Sequence, residues 1–237
     1  MNKKMVKGFF ITGTGTDVGK TYVARVLAQA FLAYRSVSYM KPVQTGCIRK
    51  KKGNYILPDF AYVKQCKGLM MGPDDLHVPY RFVPACSPHC AAKMAKVTIS
   101  FRHIQANLLK INSLFGNKKG CVIVEGAGGV LVPLSRSMNT MHLMAKLQMP
   151  VIIVTTPVLG TLNHTFLTVC ALQSCGLTIA GIVYNCVNNN TDKFIYDDNK
   201  SMIRSTLKGV PFLELEFKHS NTSNVRGFCD GLVKRYL

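Results

Sequence analysis

Acidic residues are scarce in this sequence. Eleven Asp and Glu stand against 30 Lys and Arg, a formal charge of +19. That balance favours anionic partners such as nucleotides, nucleic acids or acidic metabolites, and it does not choose among them. Long apolar runs are missing too: no window holds the roughly 18 successive apolar residues that cross a bilayer, so no membrane partner is expected. The basic start, Met1 to Gly8, leads into an apolar stretch soon broken by Gly13 and Gly15 with no cleavage-like site, which argues against a signal peptide and for a cytoplasmic location. Among the nine cysteines the close pairs Cys86/Cys90 and Cys170/Cys175 lack the two-residue gap of a zinc knuckle or redox pair, and an odd count opposes a disulfide framework. None of the six histidines forms an H-E-x-x-H pair. Ser87-Pro88-His89 has no nucleophile elbow, so hydrolytic zinc and serine chemistry are both disfavoured. No repeat and no Pro/Ser-rich linker divides the chain, and residues 1–237 are expected to form a single domain.

Short, continuous apolar runs are present at Gly8 to Thr12, Val37 to Lys41, Cys121 to Glu125, Val151 to Thr155 and Ile179 to Asn185. Such runs suit strands covered on both faces. Between them lie helix-like segments. In Ser100 to Phe115, Ser100 is a candidate N-cap, Phe101, Ile104, Leu108, Ile111 and Phe115 share a face, and Gly116 is a stop. The alternation predicts an α/β fold, a mostly parallel sheet with helices on both faces and ligands beyond the carboxyl ends of the strands. The basic run Arg49 to Lys52, the polar patch Asn188 to Asp192 and the segment Lys218 to Asn224 read as surface loops.

The first strand enters G-T-G-T-D-V-G-K-T, Gly13 to Thr21, followed by a helical pattern from Tyr22 to Tyr34. A strand, a glycine-rich turn and Lys-Thr at a helix start wrap phosphates in backbone N–H groups, a P-loop that here carries one extra residue. Asp17, Val18 and Gly19 form its wall, Lys20 neutralises β/γ-phosphate charge, and the Thr21 hydroxyl ligates magnesium. For Asp17 two readings stay open: a place near the metal or a basic substrate, or a loop-shaping Asx turn. The second strand ends in M-K-P-V-Q-T-G, Met40 to Gly46. Lys41 faces the crevice there, suited to charge on a transferring phosphoryl group or its acceptor, and Thr45 is placed to hydrogen-bond substrate. A third strand ends in V-E-G-A-G-G. Glu125 at its tip is read as a magnesium ligand or a partner in a core ion pair, while Gly126, Gly128 and Gly129 let backbone approach a ligand closely, with Gly126, Ala127 and Gly128 expected at the ATP. Asp59 either completes the acidic set or caps a helix.

Together with S-P-H at Ser87 to His89, P-V-I-I-V-T-T-P-V-L-G-T-L-N-H from Pro150 to His164 and G-L-T-I-A-G-I-V-Y-N from Gly176 to Asn185, these blocks resemble the dethiobiotin synthetase family. The resemblance implies a single P-loop NTPase domain that uses ATP, magnesium, carbon dioxide and 7,8-diaminopelargonic acid. A carbamate forms, ATP phosphorylates it, and a cyclic urea closes. It implies that Lys20 and Lys41 hold γ-phosphate and carbamate charge, that Thr21, Asp59 and Glu125 surround magnesium, and that Thr45 contacts substrate. It also implies that Asn185 and a loop at Pro211, Phe212 and Leu213 lie by the adenine. A homodimer is implied, with the substrate's distal carboxylate near Gly160, Thr161 and Asn163 of the opposite subunit, at a helix N-terminus. Gly15 stands where many members carry an acid, and so does Cys186. The competing class is a P-loop partition or regulatory ATPase that binds DNA. It would carry an additional lysine at the place of Gly15 and has no use for K-P-V-Q-T-G. No specific nucleic-acid partner is expected.

Overall fold

A computed structural model describes residues 6–50, 54–187, 191–216 and 222–237. Strand β1 (Gly8–Gly13) leads through α1 (Lys20–Phe31) to β2 (Ser36–Met40). A long excursion follows through β3 (Val43–Gln44), β4 (Ile48–Arg49), β5 (Tyr55–Ile56), α2 (Pro58–Lys64), α3 (Asp74–His77), β6 (Tyr80–Arg81), α4 (Pro88–Met94) and α5 (Phe101–Ser113). The chain then returns through β7 (Gly120–Gly129), α6 (Thr140–Leu147), β8 (Val151–Thr155), α7 (Thr161–Ser174) and β9 (Ile179–Asn185). It ends in α8 (Lys193–Thr206), β10 (Phe212–Leu215) and α9 (Thr222–Tyr236).

Six strands form one sheet in the order β10-β9-β8-β1-β7-β2, and its pairings are all parallel. Strand alternation divides the core in two. Phe9 and Ile11 face Val23, Leu27 and Phe31 of α1 and Phe228 and Leu232 of α9. Phe10, between them, faces Ile104, Leu108 and Ile111 of α5, Leu143 of α6 and Leu172 of α7. Every residue of β1 and β8 is buried. Covered faces on both sides explain why these strands read as unbroken apolar runs. The expected P-loop NTPase architecture is therefore present, and β1 lies at its switch point: the chain leaves β1 toward β2 on one side and later places β8 on the other. The crevice beyond the carboxyl end of β1 is where such a fold binds ligands.

Some expectations shift. Helix α5 starts after Ser100 as predicted, but the Ser100 side chain makes no capping bond; its N–H donates to Tyr80 Oη at 2.8 Å. The basic run is the arm of a hairpin rather than only a loop: Arg49 pairs with Tyr55, and Lys50 N–H donates to Asn54 O. Lys51, Lys52 and Gly53 lie outside the described residues. Asn188 to Asn190 and Lys218 to Asn221 do as well. Of the loops expected around them, Asp192 is the N-cap of α8, accepting from Phe194 and Ile195 N–H, and Thr222 to Asn224 already belong to α9.

Candidate active site

The turn after β1 gains its shape from two left-handed residues, Asp17 (φ 58°) and Gly19 (φ 84°). Gly19 has a second reason to lack a side chain, because a Cβ there would stand 2.1 Å from Asn185 Nδ2. That amide donates to Val18 O at 2.9 Å, so the buried Asn185 at the end of β9 braces the loop from beneath. Lys20 opens α1 and turns back to give its ammonium to Gly15 O at 2.6 Å. Asp17 lies exposed on the rim.

Glu125 is fully buried at the level where β7 leaves the sheet core. An ionised carboxylate in such a place needs partners, and three donors supply them. Thr21 Oγ1 reaches Oε1 at 2.8 Å, Lys41 Nζ reaches the same oxygen at 2.5 Å, and Tyr39 OH reaches Oε2 at 2.6 Å. Lys41, one residue past β2, also pairs with Asp59 Oδ2 at 2.7 Å. Asp59 comes from the first turn of α2, and its side chain is 38% exposed against 6% for Lys41. Of the two readings of Glu125, the core ion pair is present.

The charge states follow from this geometry. Burial lowers the pKa of Lys41, but Glu125 and Asp59 more than offset it and leave the group above its ordinary value, a fixed ammonium. Lys20 is pulled down to about 8, first by burial and then by repulsion from Lys41, with Glu125 and Asp59 opposing. The Tyr39 phenol is pushed well above its usual value by burial and by Glu125, so it remains a donor.

These groups line a cleft of about 750 Å³, with Lys20, Lys41, Thr45, Asp59, Glu125 and Ser87 among its walls. Asp17, Gly19, Thr21, Ala127 and Gly128 also border it. Gly126 does not, and its missing side chain faces Phe10 and Thr140 in the core. Val18 is buried against Gly13. Pro211, Phe212 and Leu213 depart from expectation. Phe212 and Leu213 are paired in β10, where Leu215 is level with Asn185 and Phe212 with Ile182. In a parallel sheet this puts the three residues toward the amino ends, away from the P-loop, so of the adenine-side loop expected there Phe212 and Leu213 are corrected to strand, with Pro211 just before it. Gly160 caps α7 in a left-handed conformation (φ 87°). The Thr161 hydroxyl is spent inside the protein on Thr155 at 2.8 Å, Asn163 is exposed, and neither residue borders the cleft.

Asp59 and Glu125 both bond the Lys41 ammonium, and the Thr21 hydroxyl donates to the same Glu125 oxygen. A set of two carboxylates and a hydroxyl suits magnesium, which keeps waters and takes substrate phosphates rather than needing an all-protein cage. Among the described residues no three His, Cys, Asp or Glu side chains cluster to hold a metal by themselves. Sequence reasoning missed Tyr39 and the wall at Ser87. A tyrosine inside an apolar strand reads as core. The S-P-H block was itself the available signal for Ser87, since Ser87 and Pro88 start α4 and present that turn to the cleft.

A family model described as an AAA domain matches residues 7–218. The ATP-dependent dethiobiotin synthetase BioD of Aeromonas hydrophila is 37% identical over 230 residues, covering 95% of this chain and 98% of the relative. The enzyme of the same name from Bacillus subtilis (strain 168) is 36% identical over 221 residues, covering 92% and 90%. Among solved structures, a plasmid partition protein from Borrelia burgdorferi (TM-score 0.56, 12% identity, 98% and 97% covered) shares the fold. So does the cobyrinic acid a,c-diamide synthase of Mycobacterium smegmatis with bound ATP analogue and magnesium (TM-score 0.52, 14% identity, 97% and 95% covered). At such identities the structural likeness speaks for architecture alone, whereas the sequence relatives are similar from end to end. The chain belongs to the family of ATP-dependent dethiobiotin synthetases.

Proposed function

We propose that the protein converts 7,8-diaminopelargonic acid, carbon dioxide and ATP into dethiobiotin, ADP and phosphate. The observation that carries this reading is the buried Lys41 ammonium, held by Glu125 and Asp59 between the phosphate loop and the wall that bears Thr45. One substrate amine adds to carbon dioxide and loses a proton, giving a carbamate. The carbamate oxygen attacks the γ-phosphorus as ADP leaves. The neighbouring amine then attacks the activated carbonyl carbon, loses its proton and expels phosphate.

Two anions must meet in the second step. Lys41 lies where an ammonium offsets their repulsion, and a preorganised charge needs no rearrangement as the transition state forms. Lys20 and the N–H groups of Asp17 to Lys20 cradle the β- and γ-phosphates at the start of α1. Lys20 gains its full charge as the phosphates arrive, because their negative charge opposes the burial that lowers its pKa. Thr45 and Ser87 orient the diamine. Asn185 stands on the adenine side, tying that side to the loop through Val18. Magnesium, held by Thr21, Asp59 and Glu125, supplies neutralisation of β/γ-phosphate charge.

A homodimer belongs to the same proposal, with the N-terminus of α7 receiving the distal carboxylate of the partner's substrate. Leu159 at that end is 95% exposed and Val158 beside it 43%, apolar residues suited to a second copy. The test is to incubate the purified protein with the diamine, bicarbonate, magnesium and ATP and to look for dethiobiotin by mass. Product that depends on all four is expected, and ATP hydrolysis without the cyclic urea would overturn the reading.

A further inference from the structure

Tyr39 is a wholly buried aromatic near the carboxyl end of β2, and its hydroxyl is committed to the site. It donates to Glu125 Oε2, whereas Thr21 and Lys41 both reach Oε1. The two carboxylate oxygens are thus divided, one turned to the cleft and one to the phenol. A terminal carboxylate torsion is broad and soft. An outside donor on one oxygen removes that freedom and fixes which oxygen faces the ligand.

The Tyr39 ring has a second connection. It stacks on Phe60 with centroids 6.3 Å apart, and Phe60 follows Asp59 in α2. Phe60 in turn stacks on His77 at 5.7 Å. His77 Nδ1 lies 2.6 Å from Tyr39 O, and His77 O accepts from Lys41 N–H at 2.9 Å. One residue therefore bears on the supports of Glu125, Asp59 and Lys41.

We propose that Tyr39 is a positioning residue for the cation site, its hydroxyl holding Glu125 so that Oε1, beside Thr21, is presented to a divalent cation bound with the nucleotide. The proposal rests on the magnesium–ATP reading given above. It assigns the discriminating part of the tyrosine to its oxygen, because phenylalanine would preserve the stack on Phe60 and lose only the bond to Glu125.

The full-length protein and Tyr39→Phe are compared with Mn²⁺ as the probe, its affinity for the ATP-bound protein being read by electron paramagnetic resonance. Loss of the hydroxyl is expected to weaken Mn²⁺ binding about tenfold, the scale of losing a group that orients a ligand. ATP affinity in chelator changes less than about twofold, and dethiobiotin formation returns to within about threefold of wild type at saturating magnesium. In a Glu125→Gln background the same substitution changes Mn²⁺ affinity less than about twofold, since no carboxylate remains to be held. Unchanged Mn²⁺ affinity in a cooperatively folded Tyr39→Phe, or full additivity with Glu125→Gln, overturns the proposal. Should Tyr39→Phe alone not fold, the comparison within Glu125→Gln still decides, and a larger than twofold change there counts against the role. Wild-type protein that makes no dethiobiotin would sink the functional reading, while the Mn²⁺ comparison would still judge Tyr39.

Discussion

Lys41 and Lys20 lie in one cleft with opposite electrostatic fates. Two carboxylates hold the first as an ammonium, while burial and its neighbour pull the second down to about 8. Their substitutions should therefore fail differently. Lys41→Gln removes the charge facing the acceptor but leaves the loop, so dethiobiotin formation is expected to fall about 10²- to 10³-fold with ATP affinity changed no more than about threefold. Lys20→Ala should weaken ATP binding and turnover together. Calorimetry and product mass on the same preparations separate the two, and a Lys41→Gln protein that loses both in equal proportion would contradict the assignment. The ion pairs carry a stability cost as well. Without Lys41 the buried Glu125 loses its cation, and denaturation should report a loss near the low end of the roughly 3–5 kcal/mol of a broken buried pair, since Asp59 remains partly exposed. Most of these residues were legible one by one, because Lys-Thr after a glycine turn and Lys-Pro after a strand are local patterns. That Lys41 would bridge Asp59 and Glu125 was not, since the three partners are far apart in the chain and only the fold sets their distances.

The excursion between β2 and β7 is where elements matter most. It carries Asp59 on α2 and forms its own two-stranded sheet, β3 with β6, and His77 at the end of α3 joins it to β2. Its ring donates from Nδ1 to Tyr39 O and accepts from Gly72 N–H at Nε2, 2.8 Å away, an arrangement that needs the neutral imidazole. Burial lowers the His77 pKa below 6.5, against the bond to Tyr39 and the nearby Asp74 and Asp75, with Lys64 assisting. The unfolded chain therefore takes up the proton first as pH falls. The stability His77 contributes is fully present above about 6.5 and declines as pH drops from there toward the native pKa. Denaturation midpoints from about pH 7 down to about pH 5 should fall for the wild type, by up to about 1.4 kcal/mol per pH unit from this group. In His77→Gln, which keeps a donor and an acceptor, the slope should flatten although the protein starts less stable. Equal slopes would show that His77 does not set the acid limit. The sequence supplied no reason to single out His77, because its role depends on a backbone carbonyl of another element.

At the scale of the whole molecule, the question is what covers the start of α7. Val158 (43% exposed) and Leu159 are exposed apolar residues there, and Thr161 is already satisfied internally. If a second copy covers it, Leu159→Asp should shift sedimentation from dimer to monomer. Dethiobiotin formation should then drop at least about tenfold, as for a central interface residue, with ATP affinity nearly unchanged because the phosphate loop is complete within one chain. An active monomer would contradict the shared site.

By itself the sequence determined the alternation of buried strands and helices, the phosphate loop, and the limits of β8 and β9. These rest on local rules: apolar runs for strands covered on both faces, glycine where the backbone turns left-handed, helical periodicity against a sheet. It misplaced Pro211 to Leu213, because a short strand with a phenylalanine and a loop aromatic look alike until a neighbour fixes the register. Only the tertiary structure decided that Asn185 braces Val18, that Glu125 divides its oxygens between Tyr39 and the cleft, and that one ammonium joins the two carboxylates. Hydrogen-bond and charge energies depend on distance and burial, and for residues far apart in sequence both are set when the sheet and its excursion pack.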